Sequence, residues 1–182
     1  MTEKSVLEVQ TRAEWRDWLA RNHERQEGVW LITFKKSSGS SHVPYGEQVE
    51  EALCFGWVDS KPGKVDEQRT KLWFAPRKSG TGWSRLNKER VERLIDAKRM
   101  HEAGLQKVQA SKLNGSWSKL DAVEALEVPA DLKEALQSQP GAESNFAAFP
   151  RSAKRGILEW ILQAKRPETR QNRITKTAQL AA

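Results

Sequence analysis

The sequence predicts an α+β protein: a small antiparallel sheet of about three strands packed with helices, followed by an all-helical C-terminal subdomain. Three observations carry this. Runs rich in β-branched and aromatic residues occur at 29–36, 57–60 and 69–76, and not later in the chain. From residue 85 onward, apolar residues recur at helical spacing. Glycine and proline separate the runs at Gly28, Gly56, Pro62, Gly63, Pro129, Pro150 and Pro167. The predicted division is a mixed domain over 1–115 and a helical subdomain over 116–182.

The first helix is expected over 11–26. Thr11 and Glu14 form a T-x-x-E capping box, and Trp15, Trp18 and Leu19 share one face. Gly28 stops it. VWLITFKK at 29–36 is apolar on both faces, as a covered strand is. SSGSSHVPYG at 37–46 reads as a loop, and 47–56 as a helix that buries Val49, Ala52 and Leu53 and ends at Gly56. A strand begins at Trp57, with Lys61, Pro62 and Gly63 marking a turn or bulge. RTKLWFAP at 69–76 alternates and pairs with it antiparallel.

A helix follows over 85–100 with Leu86, Val91, Leu94 and Ile95 inward, capped by Ser84 or Asn87. A second helical piece runs over 102–113. Pro129 with Asp131, then Pro150 with Ser152, open further helices, and Pro167 separates the last two.

At 182 residues the chain buries enough surface to fold without staples. One cysteine, Cys54, excludes an internal disulfide framework, and no run of eighteen apolar residues offers a membrane span. The opening MTEKSVLEVQ lacks a secretory h-region, so a cytoplasmic location is expected. The net charge of +7 is unevenly spread. Residues 69–93 carry 8 basic and 2 acidic side chains, 121–150 carry 1 and 6, and 151–182 carry 8 and 2. Two readings stay open: an anionic partner, or an acidic segment that packs near a basic one and cancels it.

Three ordered blocks, EALCFGWVDS at 51–60, FAPRKSGTGWSRLNKERVERLI at 74–95 and AKRPETRQNRI at 164–174, resemble the YdeI/OmpD-associated family, also called bacteriocin-protection proteins. The likeness covers nearly the whole chain. It implies a small soluble bacterial protein with a mixed α/β part, a helical C-terminal part, and a link to bacteriocin protection or membrane stress. It brings no catalytic residues. The chain departs from the pattern at 79–82, where SGTG lengthens the loop.

The 74–90 block is the strongest candidate site. Arg77 offers a planar fork for carboxylate or phosphate and Lys78 a point charge. Gly80 and Gly82 allow close backbone approach. Ser84 opens a helix whose free N–H groups favour anions. Trp83 would form a stacking wall, and Asn87, Trp57 and Asp59 complete the set. This surface is expected to face outward. The competing reading is structural, with Ser84 as a cap and Trp83 filling the core. Asp59 is open to two roles, a general base or a salt bridge to Arg77 or Arg69.

Cys54 reads as a small buried hydrophobe, since no histidine is near it in sequence. His23, His42 and His101 lack ligand spacing, so no metal is expected. No G-x-S-x-G elbow appears. A basic ridge of Lys165, Arg166, Arg170, Arg173 and Lys176, beside Lys154 and Arg155, suits phosphates without base readout. Trp160 reads as core.

The expectation is therefore a binding protein without catalysis and without cofactor. Its partner is an anionic small molecule or an acidic protein surface, with nucleic acid as a further class. The rival is an enzyme on a small anionic substrate, with Asp59 as base and Arg77 as electrostatic clamp.

Overall fold

A computed structural model describes residues 5–182 of the chain. It divides into two compact units, one ending at Ser118 and the other covering Lys119–Ala182.

The first unit contains a four-stranded sheet: β1 Val6–Glu8, β2 Val29–Phe34, β3 Trp57–Lys64 and β4 Arg69–Pro76, in the spatial order β1-β2-β4-β3. β2 pairs antiparallel with β4, and β4 antiparallel with β3. β1 runs parallel to β2, so the sheet is mixed and has four strands where about three antiparallel ones were expected. A three-residue strand is too short to show a period of two, which is why β1 was not predicted. The architecture is α+β as predicted.

Val29, Leu31, Leu72, Phe74 and Trp57 share the covered face through their register pairs and are buried. Asp59 is paired with Phe74, so its side chain also lies on that face, at the edge strand β3. β3 runs through Lys61, Pro62 and Gly63 by a register shift between Asp59 and Pro62. Edge position makes the proline tolerable there.

The described residues of this unit form four α-helices, α1 Arg12–Asn22, α2 Tyr45–Cys54, α3 Arg85–Asp96 and α4 Glu102–Leu113, besides a short 3-10 turn at Lys36–Ser38. Thr11 caps α1 by accepting the Glu14 amide at 3.2 Å, and Glu14 reaches back to the Gln10 amide. Trp15, Leu19, Val49, Leu53, Val91 and Trp83 join the sheet residues in one core. α2 begins at Tyr45, inside the stretch expected to be loop. α3 ends at Asp96, and Leu86 and Ile95, expected inward, are exposed; Val91 and Leu94 alone of that set are buried.

α4 approaches the end of α2 closely. A Cβ at Gly104 would lie 2.2 Å from the Cys54 carbonyl oxygen, so only glycine fits. Gly56 leaves α2 with φ +75 and sends the chain into β3.

Glu51 is fully buried on α2 and ties the helices together. Its Oε1 accepts from Arg12 Nε and Arg99 Nη2, each at 2.5 Å, and its Oε2 from Arg16 Nη1 at 2.6 Å. A buried carboxylate is tolerable because three guanidiniums surround it.

The second unit is helical: α5 Asp121–Glu124, α6 Ala130–Gln137, α7 Ala142–Ala148, α8 Arg151–Leu162 and α9 Pro167–Ala181. Leu132, Leu136, Phe146, Leu158, Ile161 and Ile174 form its core. Pro167 sits in the first turn of α9, where its missing N–H costs nothing.

Candidate functional site

Arg77 follows the last residue of β4. Its backbone N–H donates to the Gly56 carbonyl at 2.9 Å, which fixes it beside the α2–β3 junction. The guanidinium lies flat on Trp83, with its carbon 3.6 Å from the ring centroid. Nη2 donates to the carbonyls of Gly82 at 2.5 Å and Thr81 at 3.4 Å. Nε and Nη1 are buried and have no hydrogen-bond partner among the described residues.

The outward-facing surface expected from the sequence is not what folds. Arg77 is 4% exposed and Trp83 1%. The reason is the indole: at this loop it fills core space and packs on Trp117 at 5.0 Å. The guanidinium goes under with it. Among the described residues no carboxylate occupies the fork, however, so the arginine is enclosed but not fully satisfied.

Burial lowers the Arg77 pKa to about 10, and nearby Asp59 opposes that shift in part. Trp83 carries a third orphaned donor. Of the three fully buried tryptophans, Trp15 donates to the Gln48 carbonyl at 2.9 Å and Trp57 to the His23 carbonyl at 3.1 Å. Trp83 Nε1 has no hydrogen-bond partner among the described residues. Buried donors are nearly always paired, so three orphans in one stacked pair mark an unusual place.

The other predicted residues fall into place around this pair. Ser84 caps α3, accepting the Asn87 amide at 3.4 Å, and Asn87 Oδ1 accepts from Arg90 Nη1 at 2.9 Å. Trp57 is sealed in the core and is no contact surface. Lys78 is exposed. Asp59 accepts the Tyr45 hydroxyl proton at 2.8 Å, and Arg90 lies 5.9 Å from the Tyr45 ring. Desolvation first, and the bond to Asp59 second, push the Tyr45 phenol up to about 12. Asp59 and Tyr45 line a cavity of about 390 Å³ with His42, Gln48, Lys71 and Ser60. Sequence reading missed Tyr45 and Arg90, because Tyr45 lay in an assigned loop and Arg90 in a charged helix.

Asp59 thus meets Tyr45, with Arg77 near enough to feel its charge; Arg69 instead pairs with Asp66 and Glu8. Cys54 is buried, as expected, and burial first and Glu51 second hold its thiol up. Among the described residues no group of three or more side chains is placed to hold a metal ion. No helix among the described residues is long and apolar enough to cross a membrane.

The basic ridge of the helical unit is interrupted. Arg170 makes a bidentate pair with Asp131, at 2.7 and 3.0 Å, and hydrogen bonding to it lowers the Asp131 carboxyl. Arg173 bonds the Trp160 carbonyl and lies 4.9 Å over that ring. Trp160, expected in the core, is 38% exposed. Arg155 pairs with Glu124 and Glu159. Lys165, Arg166 and Lys176 are exposed. Part of the acidic segment therefore cancels part of the ridge.

An α+β unit holding an enclosed guanidinium on an indole, joined in sequence to a helical unit, defines the class. The chain belongs to the family described as a domain of unknown function, DUF8412, whose model matches residues 7–107, more than half of its length. Residues 125–182 match the model of the family described as Bacteriocin-protection, YdeI or OmpD-Associated. That match supports the resemblance read from the sequence and contains the last of its three blocks, while the first two fall within the other match. No curated protein and no solved structure matches the chain at a significant level.

Proposed function

We propose that the first unit is a non-catalytic binding module that takes a small oxyanion, or the anionic end of a larger ligand, at Arg77. One observation carries the reading: a guanidinium 4% exposed keeps Nε and Nη1 without partners. Each of these donors shares one edge of the guanidinium with Nη2, which is taken by the loop carbonyls, so an oxyanion is received at either edge by a charge-assisted bond from the free donor. Trp83 covers the ring face and brings a third N–H. A fold does not retain an unpaired buried charge for stability, since an apolar residue of the same size would serve better.

Access requires the Lys78–Gly82 segment to move. Lys78, Ser79, Gly80 and Thr81 are exposed, and Gly80 has φ +76. Among its contacts are an Asn114 bond to Ser79 at 3.3 Å, the Thr81 amide to the Lys78 carbonyl at 3.3 Å and the carbonyl bonds to Nη2. Hydrogen bonds in an exposed segment exchange readily with water. Lys78 then supplies a second cation at the mouth.

The wider role follows from kinship alone. The YdeI/OmpD-associated likeness of residues 125–182 supports a part in bacteriocin protection; a role in envelope stress and a cytoplasmic location are further parts of this proposal.

Calorimetric titration with pyrophosphate tests the binding reading. Saturable heat is expected for the wild type and not for Arg77→Met, while Lys78→Ala weakens binding by about tenfold. Equal binding by wild type and Arg77→Met would refute the assignment.

A second reading rests on Asp59, which faces a cavity and lies within electrostatic reach of Arg77. There the protein would be an enzyme on a small anionic substrate, with Asp59 as base. The Tyr45 hydroxyl already donating to its carboxylate weighs against it. Turnover of an anionic substrate that Asp59→Asn abolishes, with binding intact, would favour this reading over the first.

A further inference from the structure

A second cavity of about 610 Å³ lies where the end of α1, the α2–β3 junction and the first turns of α4 meet. His23, Arg25, Phe55, His101 and Lys107 are among its walls. The two histidines stand 78 positions apart in sequence, yet their ring centroids are 4.8 Å apart. Phe55 stacks on His101 at 4.9 Å and tilts against His23 at 5.8 Å.

The bonds of each ring fix its neutral tautomer. His23 Nδ1 faces the carbonyl oxygens of Leu19 at 3.3 Å and Ala20 at 3.1 Å. Carbonyls only accept, so Nδ1 carries the proton and Nε2 is a bare acceptor. His101 is the N-cap of α4, and its Nδ1 accepts the Ala103 amide at 3.2 Å. Here Nδ1 is bare and Nε2 carries the proton. One imidazole therefore offers an acceptor and its neighbour a donor.

Both rings are held firmly. The His101 amide donates to the Cys54 carbonyl at 3.1 Å, and the His23 carbonyl accepts the Trp57 indole. Neither Nε2 has a hydrogen-bond partner among the described residues, and neither is a buried orphan, so both are reachable. A metal ion bridging the rings is disfavoured: His101 would have to lose its Nε2 proton while Nδ1 is already bare. The charged groups of the wall, Arg25 and Lys107 against Glu24 and Glu102, balance in sign. That selects a neutral ligand over an anion.

We propose that this cavity is a second binding site, separate from Arg77, for a neutral molecule of the carboxamide class. Its carbonyl oxygen accepts from His101 Nε2–H, and its amide N–H donates to His23 Nε2. Phe55 and the two imidazoles, tilted 59° to one another, form the floor behind them.

Nitrogen-detected NMR of the imidazole rings, with nicotinamide as the probe, tests this at mildly alkaline pH. Protonated Nδ1 at His23 and protonated Nε2 at His101 are expected. Nicotinamide should shift both rings saturably, and benzoate, which lacks the donor, should not. His101→Asn keeps an N-cap residue, so α4 stays capped, but withdraws the Nε2 donor. It should weaken nicotinamide binding by about tenfold, the worth of one hydrogen bond. Arg77→Met should leave it unchanged, which separates this site from the first. The opposite tautomers, no saturable shift, or wild-type affinity in His101→Asn would each overturn the proposal.

Discussion

The guanidinium carbon of Arg77 lies 3.6 Å above the Trp83 ring, and two buried donors of Arg77 and one of Trp83 have no acceptor among the described residues. Stacking compensates part of the desolvation of the cation, since a guanidinium over an indole is a favourable cation–π pair. It does nothing for the N–H groups at the edges. The pair is therefore half-stabilised, and the experiments below follow from that imbalance.

Arg77→Met should leave the protein as stable as the wild type or more stable, by about 1–3 kcal/mol. Methionine fills similar space against Trp83 without burying charge. Urea unfolding checks this, with an unchanged slope confirming the same fold. A loss of stability beyond about 1 kcal/mol would mean the bonds from Nη2 to Gly82 and Thr81 are the main purpose of the arginine.

The same residue has a pH signature. Its folded pKa, about 10, lies well below that of an unburied arginine. Between those values the unfolded chain binds more protons, so this group's contribution to stability rises with pH across the window. The advantage of Arg77→Met over the wild type should accordingly shrink as pH rises past 10. Paired unfolding curves at neutral pH and above pH 10 measure it, and a constant gap would count against the burial of the charge.

Tyr45 is the sole tyrosine, so tyrosinate absorbance reports it alone. Its midpoint is expected near 12, raised by desolvation and then by Asp59. The stabilisation it supplies is complete below its unfolded pKa of 10 and is lost as pH climbs toward 12. Asp59→Asn should lower the midpoint without returning it fully to 10, because desolvation is the larger cause. An unaltered midpoint in Asp59→Asn would break the Tyr45–Asp59 link.

Glu51→Gln should destabilise the first unit by about 3 kcal/mol. The amide cannot balance Arg12, Arg16 and Arg99, which converge on one buried side chain. The loss stays moderate because those cations are 24%, 35% and 40% exposed and can turn toward water. Thermal unfolding of the variant measures it.

Much of this fold was legible where local chemistry decides structure. The Thr11–Glu14 capping box opens α1, and the alternation at 69–76 gives β4, Arg69–Pro76. Ser84 was one of two capping candidates and is the one used. Elements that depend on tertiary context were not legible. β1 is strand only because β2 lies beside it, and β3 passes through Pro62 because its edge is open. The site shows the same division. Arg77, Trp83 and Asp59 stood out by residue type, but their burial did not, because a Gly/Ser-rich loop does not announce that its tryptophan is core. His23 and His101 read as scattered surface residues; only the docking of α4 on α2, at Gly104, brings them together.

The most direct measurement is the pair of side-chain N–H resonances, Arg77 Nε–H and Trp83 Nε1–H, followed by ¹⁵N NMR while inorganic phosphate is added. The account predicts that both move together, saturably and downfield, as their missing acceptor arrives. Resonances that stay fixed while phosphate shifts signals elsewhere would contradict it.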